Sequence, residues 1–322
     1  MVTASVNLIP EAPVAKMVEL ARHAEAVGFD KVWVYDEGLV TRDVYVTLAA
    51  VALGTERVRI GPGITNPYTR HPATTAASIA SVDELSGGRA FLGIGAGGSL
   101  TLGPLGVDRR QPVATVRDVI AACRGLFLGA PVTMEGNGFS LTEAALSFAR
   151  ADIEIWLAGR GPRMLGLGGE VADGVMLDFI HADLLGDYVD IVRAGAARAA
   201  NRPRLMYSTM VITDERAMAE TKPHMTYRLV DSPPRIKELL GITDAEVDQI
   251  RRAMAGGLHE AGQYVRDEWV YPFVFSGTAS DCAEQLSRVI DRHGIDEFLL
   301  PVLDLSNATR LMDDVADVLA RV

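Results

Sequence analysis

The feature that most constrains the fold is a regular alternation of short apolar segments with helical segments along the chain. Eight apolar, β-branched segments are predicted as strands, over residues 6–9, 31–36, 58–61, 90–94, 153–157, 174–177, 204–212 and 297–301. Eight helices are predicted to follow them, over residues 14–27, 44–53, 73–85, 113–128, 162–171, 183–200, 279–293 and 308–320. Continuous apolar strands are typical of parallel strands covered on both faces. Eight such units predict an α/β fold, a closed (β/α)8 TIM barrel with its active site at the carboxyl ends of the strands.

One long polar segment interrupts this alternation. Residues 214–267 have helical character, contain SPPR at 232–235 and follow the seventh predicted strand. We interpret this segment as a helical insertion in the barrel. No shift in composition marks a second domain, so residues 1–322 are expected to form a single barrel domain.

The net charge and the cysteine content limit which binding partners and which cellular compartment we expect. The chain has 31 Lys and Arg against 42 Asp and Glu, a net charge of −11, whereas a non-specific nucleic-acid binder needs a basic surface. The sequence shows neither an apolar run long enough for a bilayer nor a signal peptide, so no membrane association is expected. Cys123 and Cys282 suggest no disulfide framework, which favours a reducing cytoplasm, and the six histidines have no metal-ligand spacing.

A glycine-rich loop follows the fourth predicted strand, where Gly93, Gly95 and Gly98 form a GxGxxG pattern. In a dinucleotide-binding turn that pattern opens a helix at once. Residues 99–112 contain two prolines and two further glycines, and we predict that no helix starts there. The Rossmann interpretation is therefore disfavoured. A backbone that approaches a flat or anionic ligand closely and a mobile barrel loop both remain open.

A second glycine-rich turn, Gly159-Arg160-Gly161, follows the fifth predicted strand. Pro162 stands where the first helical turn begins, a position that suits proline. Backbone N–H groups at a helix N-terminus, together with Arg160 and Arg163, form a suitable phosphate site. The alternative is a tight turn with surface arginines, and we favour phosphate binding.

Polar side chains also follow the second and third predicted strands. Asp36 and Glu37 end the second strand, where a carboxylate is a catalytic candidate by position. Asp36 has the alternative of capping the next helix or pairing with an arginine. The segment GPGITNPYTRHP, residues 61–72, places Thr65 and His71 at the same barrel mouth, and His71 is as compatible with a loop hydrogen bond as with catalysis.

Four segments resemble the luciferase-like flavin and deazaflavin oxidoreductases: VGFDKVWVYDE, GPGITNPYTRHPATTAASIASVDELSGGRAFLGIGAGG, WLAGRGPRMLGLGGEVADG and GIDEFLLP. Within that family the chain is most similar to the methylenetetrahydromethanopterin reductases, which use coenzyme F420, and the second segment is highly specific. The resemblance implies a (β/α)8 barrel with an insertion after the seventh strand. It further implies a deazaflavin at the carboxyl-terminal mouth, and a homodimer or higher homo-oligomer.

The resemblance also implies roles for particular residues. A cis peptide at Gly63–Ile64 would lie behind the central ring, Asp36 near its polar edge, and Gly159 to Pro162 around the phosphate. The implied cofactor-binding set is Asp36, Gly63, Ile64, Thr65, Gly95, Ala96, Gly97, Gly159, Arg160, Gly161 and Pro162.

Two positions depart from the family pattern. Asn7 and Gly98 stand where the reductases carry acids, and neither can deliver a proton. Glu37 or His71 would have to supply it instead. With Asp36, a candidate by its position, Glu37 completes the predicted catalytic pair.

The expected function is hydride transfer between F420 and a small organic substrate, with a methylene-tetrahydropterin or folate-type compound as the leading expectation. An FMN-dependent luciferase-like monooxygenase is the alternative, because the loops admit either cofactor. A non-catalytic flavin- or F420-binding protein is the second alternative, because of the acids missing at Asn7 and Gly98.

Overall fold

The structure, a computed structural model, describes residues 2–322, without the side chains of residues 99 and 100. Its strands are β1 (Thr3–Leu8), β2 (Lys31–Val34), β3 (Arg59–Pro62), β4 (Leu92–Gly95), β5 (Val132–Gly136), β6 (Phe139–Ala144), β7 (Ile155–Ala158), β8 (Gly174–Asp178), β9 (Arg204–Ser208), β10 (Val211–Ile212), β11 (Phe275–Ser276) and β12 (Glu297–Val302). Its helices are α1 (Val14–Ala26), α2 (Val44–Gly54), α3 (Pro72–Ser86), α4 (Ser99–Leu102), α5 (Pro112–Phe127), α6 (Pro162–Val171), α7 (Leu185–Ala199), α8 (Glu215–Val230), α9 (Pro234–Leu240), α10 (Asp244–Ala253), α11 (Leu258–Gly262), α12 (Asp267–Val270), α13 (Ala279–His293) and α14 (Ala308–Leu319).

Eight parallel strands form the barrel, in the order β3-β2-β1-β12-β9-β8-β7-β4. The two ends of this order meet through bridges between Ile60 and Ala90 and between Thr65 and Ile94. Backbone hydrogen bonds of 3.0 Å from Phe91 to Ile60 and from Thr65 to Gly93 hold this seam. The predicted (β/α)8 barrel is therefore confirmed, and each predicted helix of the alternation is present.

Two local predictions were wrong, and one pair of strands was missed. The strand predicted over 204–212 is two strands, because the chain leaves the barrel at Thr209, and β10 pairs with β11 instead. The antiparallel pair β5–β6 was not predicted, although its turn, Asn137-Gly138, is a common hairpin sequence. Residues 99–112 do start a helix, the single turn α4, because burying Leu102 stabilises one turn before Gly103.

The insertion consists of α8 to α12 and lies between β10 and β11, after the seventh barrel strand, as predicted. Its helices span 215–270, against the 214–267 expected. Within residues 2–322, no helix combines the length and the apolar composition that crossing a bilayer requires.

The barrel interior is a packed core rather than a channel. At its amino-terminal end, Lys31 Nζ lies 2.5 Å from Glu297 Oε2, with the two side chains only 2% and 1% exposed. Lys31 also lies 4.2 Å from the Trp156 ring centroid, and Trp156 meets Trp33 edge to face at 5.7 Å. Since these side chains fill the centre, ligand chemistry is confined to the carboxyl-terminal mouth.

Candidate active site

The floor of the mouth is built around the peptide between Gly63 and Ile64, which is cis, as the resemblance implied. Asn7 Nδ2 donates a hydrogen bond of 2.6 Å to the Gly63 carbonyl. A Cβ atom on Gly63 would lie 2.6 Å from Asn7 Oδ1 and 2.7 Å from Trp33 Cβ, and one on Gly95 would lie 2.8 Å from the Ala158 carbonyl oxygen. Glycine is therefore required at both positions by close packing.

Asp36 is buried beside this floor. Its Oδ2 accepts hydrogen bonds of 2.7 Å from the Thr65 hydroxyl and from the Arg70 guanidinium. Arg70 also donates to Asp43 at 2.7 Å, and Asp43 is the residue that caps α2. Asp36 therefore pairs with an arginine, one of the two structural roles considered for it, and it does not cap the next helix.

Glu37 is half-buried and has a different environment. Its Oε2 accepts a hydrogen bond of 2.6 Å from the hydroxyl of Thr101 in α4. Burial raises the pKa of the Glu37 carboxyl, and the neighbouring charge of Asp36 acts in the same direction, while the Thr101 hydroxyl opposes both. Glu37 therefore stays protonated to a higher pH than an ordinary glutamate, which suits a proton donor.

His71 is a structural residue in this loop. Its Nδ1 accepts a hydrogen bond of 3.2 Å from the Ala73 amide, so it caps α3, and its side chain is exposed. The loop hydrogen bond, one of the two roles considered for His71, is therefore the one observed.

Gly95, Ala96 and Gly97 lead out of β4 next to Thr65. The Gly95 amide donates to the Thr65 carbonyl at 3.0 Å, and the Arg109 guanidinium donates to the Gly97 carbonyl at 3.0 Å. Gly97 has φ +70°, a left-handed conformation that glycine adopts without strain. The structure thus brings these two predicted segments together at the mouth.

The second glycine-rich turn leads from β7 into α6. Pro162 is the first residue of α6 and Gly161 its N-cap, with no side chain capping the helix. A Cβ on Gly161 would meet nothing within 4 Å, and Gly161 is exposed, so the N-cap of α6 is open to solvent. Arg160 is 60% exposed, and its guanidinium lies 3.6 Å from Asp178. An anion fits this end of α6.

Asp178 is a residue of the mouth that sequence reasoning missed. Its carboxylate accepts hydrogen bonds from Arg228 of the insertion at 2.7 Å and from Ser208 at 2.9 Å. The Arg228 guanidinium also lies 3.9 Å from the centroid of the Phe179 ring. Burial would raise the pKa of Asp178, but Arg228 and Arg160 outweigh it, so the pKa is lowered.

The sequence did contain a signal for Asp178, because this carboxylate stands at the end of a strand, as Asp36 stands at the end of the second predicted strand. Arg228 carries no such signal. Tyr35 directly follows β2. Burial raises the pKa of its phenol, and the charges of Asp178 and Glu37 add to that effect, while Arg228 and Arg160 oppose it. Tyr35 therefore stays a neutral hydrogen-bonding group at the mouth.

Comparison with known proteins places the chain in a family. Residues 2–297 match the family model described as luciferase-like monooxygenase. The chain is 36% identical over 297 residues to the 5,10-methylenetetrahydromethanopterin reductase of Methanolobus tindarius, covering 90% of this chain and 91% of that one. It is 34% identical over 164 residues to an F420-dependent glucose-6-phosphate dehydrogenase of Beutenbergia cavernae, covering 47% and 48%.

A solved structure agrees with these sequence similarities. The coenzyme F420-dependent tetrahydromethanopterin reductase from Methanopyrus kandleri superposes with a TM-score of 0.89 at 25% identity, covering 98% of this chain and 97% of that one. The resemblance inferred from the four sequence segments is confirmed. The chain belongs to the luciferase-like family of barrel oxidoreductases, in the group that contains the methylenetetrahydromethanopterin reductases.

Proposed function

We propose that this enzyme transfers a hydride between coenzyme F420 and the methylene carbon of a tetrahydropterin or folate-type substrate. The chain is an oxidoreductase of the F420-dependent class, as its relatives are. The observation that carries the substrate class is the 36% identity over 90% of the chain with a methylenetetrahydromethanopterin reductase. The similarity to a glucose-6-phosphate dehydrogenase covers only 47% of the chain, so a sugar phosphate is less well supported.

The proposed cofactor site uses the residues of the mouth. The ring would be held against Gly63, Ile64 and Thr65 and along Gly95 to Gly97, with Asp36 near its polar edge. Two observations support this fit: the floor excludes a Cβ at Gly63 and Gly95, and Asp36 has a defined orientation through Thr65 and Arg70.

The phosphate of the cofactor is assigned to residues 159–162. The N-terminus of α6 has no side-chain cap. Pro162 has no N–H, and the Met164 amide donates to the Gly161 carbonyl at 3.0 Å, which leaves the amides of Gly161 and Arg163 to bind an anion. Arg160 is exposed and next to them, and a guanidinium forms strong charge-assisted hydrogen bonds with phosphate.

A proton must accompany the hydride. The deazaflavin, when bound, supplies two electrons as hydride. In the reductive direction the methylene carbon gains that hydride and one substrate nitrogen gains a proton, while the C–N bond between them breaks and a methyl group remains. Glu37 is the proposed proton donor, since its pKa is raised and the family's acids are replaced by Asn7 and Gly98.

The insertion is proposed to form one wall of the substrate pocket and one domain with the barrel. Arg228 of α8 supports this, because it pairs with Asp178 at the end of β8. We also propose a cytoplasmic location, since Cys123 and Cys282 are both free and buried.

A homodimer is part of the proposal. The outer face of α2 is apolar, with Val46 61% and Leu53 73% exposed, and Leu39 and Val40 just before it are exposed as well. Such a patch is typical of an interface, and a second copy of the chain is the proposed occupant. Sedimentation should show a dimer that Leu53→Glu dissociates; a monomeric wild-type protein would contradict the interface.

The test of the proposed function begins with fluorescence titration of the purified protein with F420 and with FMN. Tight binding of F420 and weak binding of FMN are expected. Reduced F420 should then be oxidised on addition of a methylene-tetrahydropterin or methylene-tetrahydrofolate, followed by deazaflavin absorbance. Oxidised F420 with glucose 6-phosphate serves as the comparison. Turnover with the sugar phosphate alone would overturn the substrate assignment, and preference for FMN would overturn the cofactor assignment.

A further inference from the structure

A groove of about 480 Å³ lies on the outside of the barrel between α5, α6 and α7. It begins beside the N-terminus of α6 and follows that helix away from the mouth. Its lining includes Pro162 at the start of α6 and four charged residues: Arg163 and Glu170 of α6, Arg117 of α5 and Arg198 of α7. Pro162 also belongs to the proposed phosphate turn, and Arg163 follows it directly, whereas Arg117, Glu170 and Arg198 lie outside the proposed cofactor site.

The groove carries positive charge on an acidic protein. Three arginines and one glutamate line it, whereas the whole chain has a net charge of −11. Glu170 bridges two of the arginines, with Arg117 at 2.6 Å and Arg198 at 2.7 Å. Their hydrogen bonds lower the pKa of Glu170. The Arg117 and Arg198 side chains are still 47% and 59% exposed, so their remaining donors can reach another carboxylate.

A second groove shows that shape alone does not distinguish this one. It lies between α13 and α14 and measures about 440 Å³. Its charged residues are Arg288 and Arg321 against Glu284 and Asp291, so its charges balance. Of these two grooves, the one beside α6 combines excess positive charge with continuity to the proposed phosphate turn.

We propose that the groove beside α6 binds the oligoglutamate tail of F420, a chain of γ-linked carboxylates attached beyond the phosphate. This inference rests on the proposed function, because it requires the phosphate at residues 159–162. Pro162 is shared by that turn and the groove, and the helix advances about 12 Å from Pro162 to Glu170. Over that length, Arg163 meets the tail first, followed by Arg117 and Arg198.

The chemistry of the walls matches such a tail. Guanidinium groups bind carboxylates in a planar, two-hydrogen-bond geometry that ammonium groups cannot provide. The lining also contains the apolar residues Val113, Leu167 and Ile191, which can cover the methylene groups of the glutamyl units. The groove therefore fits a ligand whose carboxylates face the arginines and whose methylene groups face the apolar residues.

The decisive experiment compares two forms of the cofactor by fluorescence titration: F420 without glutamates and F420 with two or more. The wild-type protein should bind the glutamylated form about tenfold more tightly at low salt, and added salt should reduce that advantage. The double variant Arg163→Gln/Arg117→Gln should bind both forms alike. Arg288→Gln, in the balanced groove, is the matched control and should keep the wild-type preference.

A second variant separates charge from local structure. Glu170→Gln removes the one negative charge of the groove and should strengthen binding of the glutamylated form alone. Unchanged selectivity in this variant would contradict the assignment.

The outcomes distinguish this inference from the proposed function. Equal wild-type affinity for the two forms, or a preference that survives the double variant, overturns the tail site while leaving F420 as the cofactor. Failure of both forms to bind overturns the cofactor site itself.

Discussion

The two ends of the barrel differ in how completely their charges are paired. At the amino-terminal end, Lys31 pairs with Glu297, and Glu154 pairs with Arg59 at 2.8 Å and with Arg204. Burial opposes ionisation of Glu154, but its arginine partners outweigh it and lower its pKa to about 2. At the mouth, Asp36 and Asp178 are paired with arginines as well. Glu37, however, has a hydroxyl as its hydrogen-bond partner among the described residues, and the largely exposed Arg160 lies 3.6 Å from Asp178.

This difference separates stability from chemistry within one fold. Charges that are fully paired in a dry interior hold one geometry and have little affinity left for a ligand. Charges with unused hydrogen-bonding capacity at the mouth can engage a ligand or move a proton. Substitutions at the two ends should therefore affect different measurements.

The largest effect is expected at the amino-terminal end. Lys31→Met leaves the Glu297 carboxylate buried without its partner and should lower the free energy of unfolding by about 3–5 kcal/mol. Urea denaturation followed by circular dichroism measures this. The double variant Lys31→Met/Glu297→Leu should recover most of the loss, because an apolar pair needs no partner. A loss below about 1 kcal/mol in the single variant would show that this end does not depend on the pair.

The next largest effect is expected on turnover, for a substitution at the mouth. Asp36→Asn keeps the shape but removes the charge that Arg70 and Thr65 orient, and should slow turnover about a hundredfold. The F420 dissociation constant should change far less. Asp43→Asn is the matched control, since Arg70 binds both carboxylates. Equal losses of turnover and of F420 affinity would give Asp36 a purely binding role.

The raised pKa of Glu37 predicts that turnover depends on pH. If its protonated carboxyl donates the proton, turnover should fall as the pH rises through its raised pKa, and Glu37→Gln should abolish that limb and slow turnover at least tenfold. The free energy of unfolding should depend on pH in the same direction. Because the pKa of Glu37 is higher in the folded protein than in the unfolded chain, its stabilising contribution is complete below the ordinary glutamate pKa. That contribution is lost as the pH rises through the raised value. An identical pH–rate profile in the variant would remove Glu37 from the mechanism.

The smallest effect is expected for Arg160. Arg160→Ala should weaken F420 binding about three- to tenfold, the loss of one exposed charge-assisted contact. Turnover at saturating F420 should be unchanged. Arg235→Ala, which removes another exposed arginine paired with Asp187, should leave affinity at the wild-type value. Unchanged affinity in Arg160→Ala would rule out its phosphate contact.

Most of the fold could be predicted from the sequence, because each barrel unit has a local signature. The helix 279–293 was predicted with its observed bounds, and its polar N-terminus explains why: Thr278 and Asp281 form a reciprocal cap. The strand at 204–212 was predicted too long, because nothing local marks Thr209 as the point where the chain leaves the barrel.

The candidate site was predictable in part. The glycine turns and Asp36 follow strands, so their place at the mouth follows from chain order alone. The surroundings of each charge do not: Arg228 reaches Asp178 from 50 residues away, and Thr101 reaches Glu37 from 64 residues away.

The sequence by itself therefore determined the order of strands and helices and the end of the barrel that carries the site, since periodicity and turn chemistry act over a few residues. Only the tertiary structure decided which charges are paired. Lys31 and Glu297 lie 266 residues apart and meet solely because β12 and β2 both flank β1. A pKa depends on burial and on neighbours in space, so it is set by the closed barrel and not by any segment of the chain.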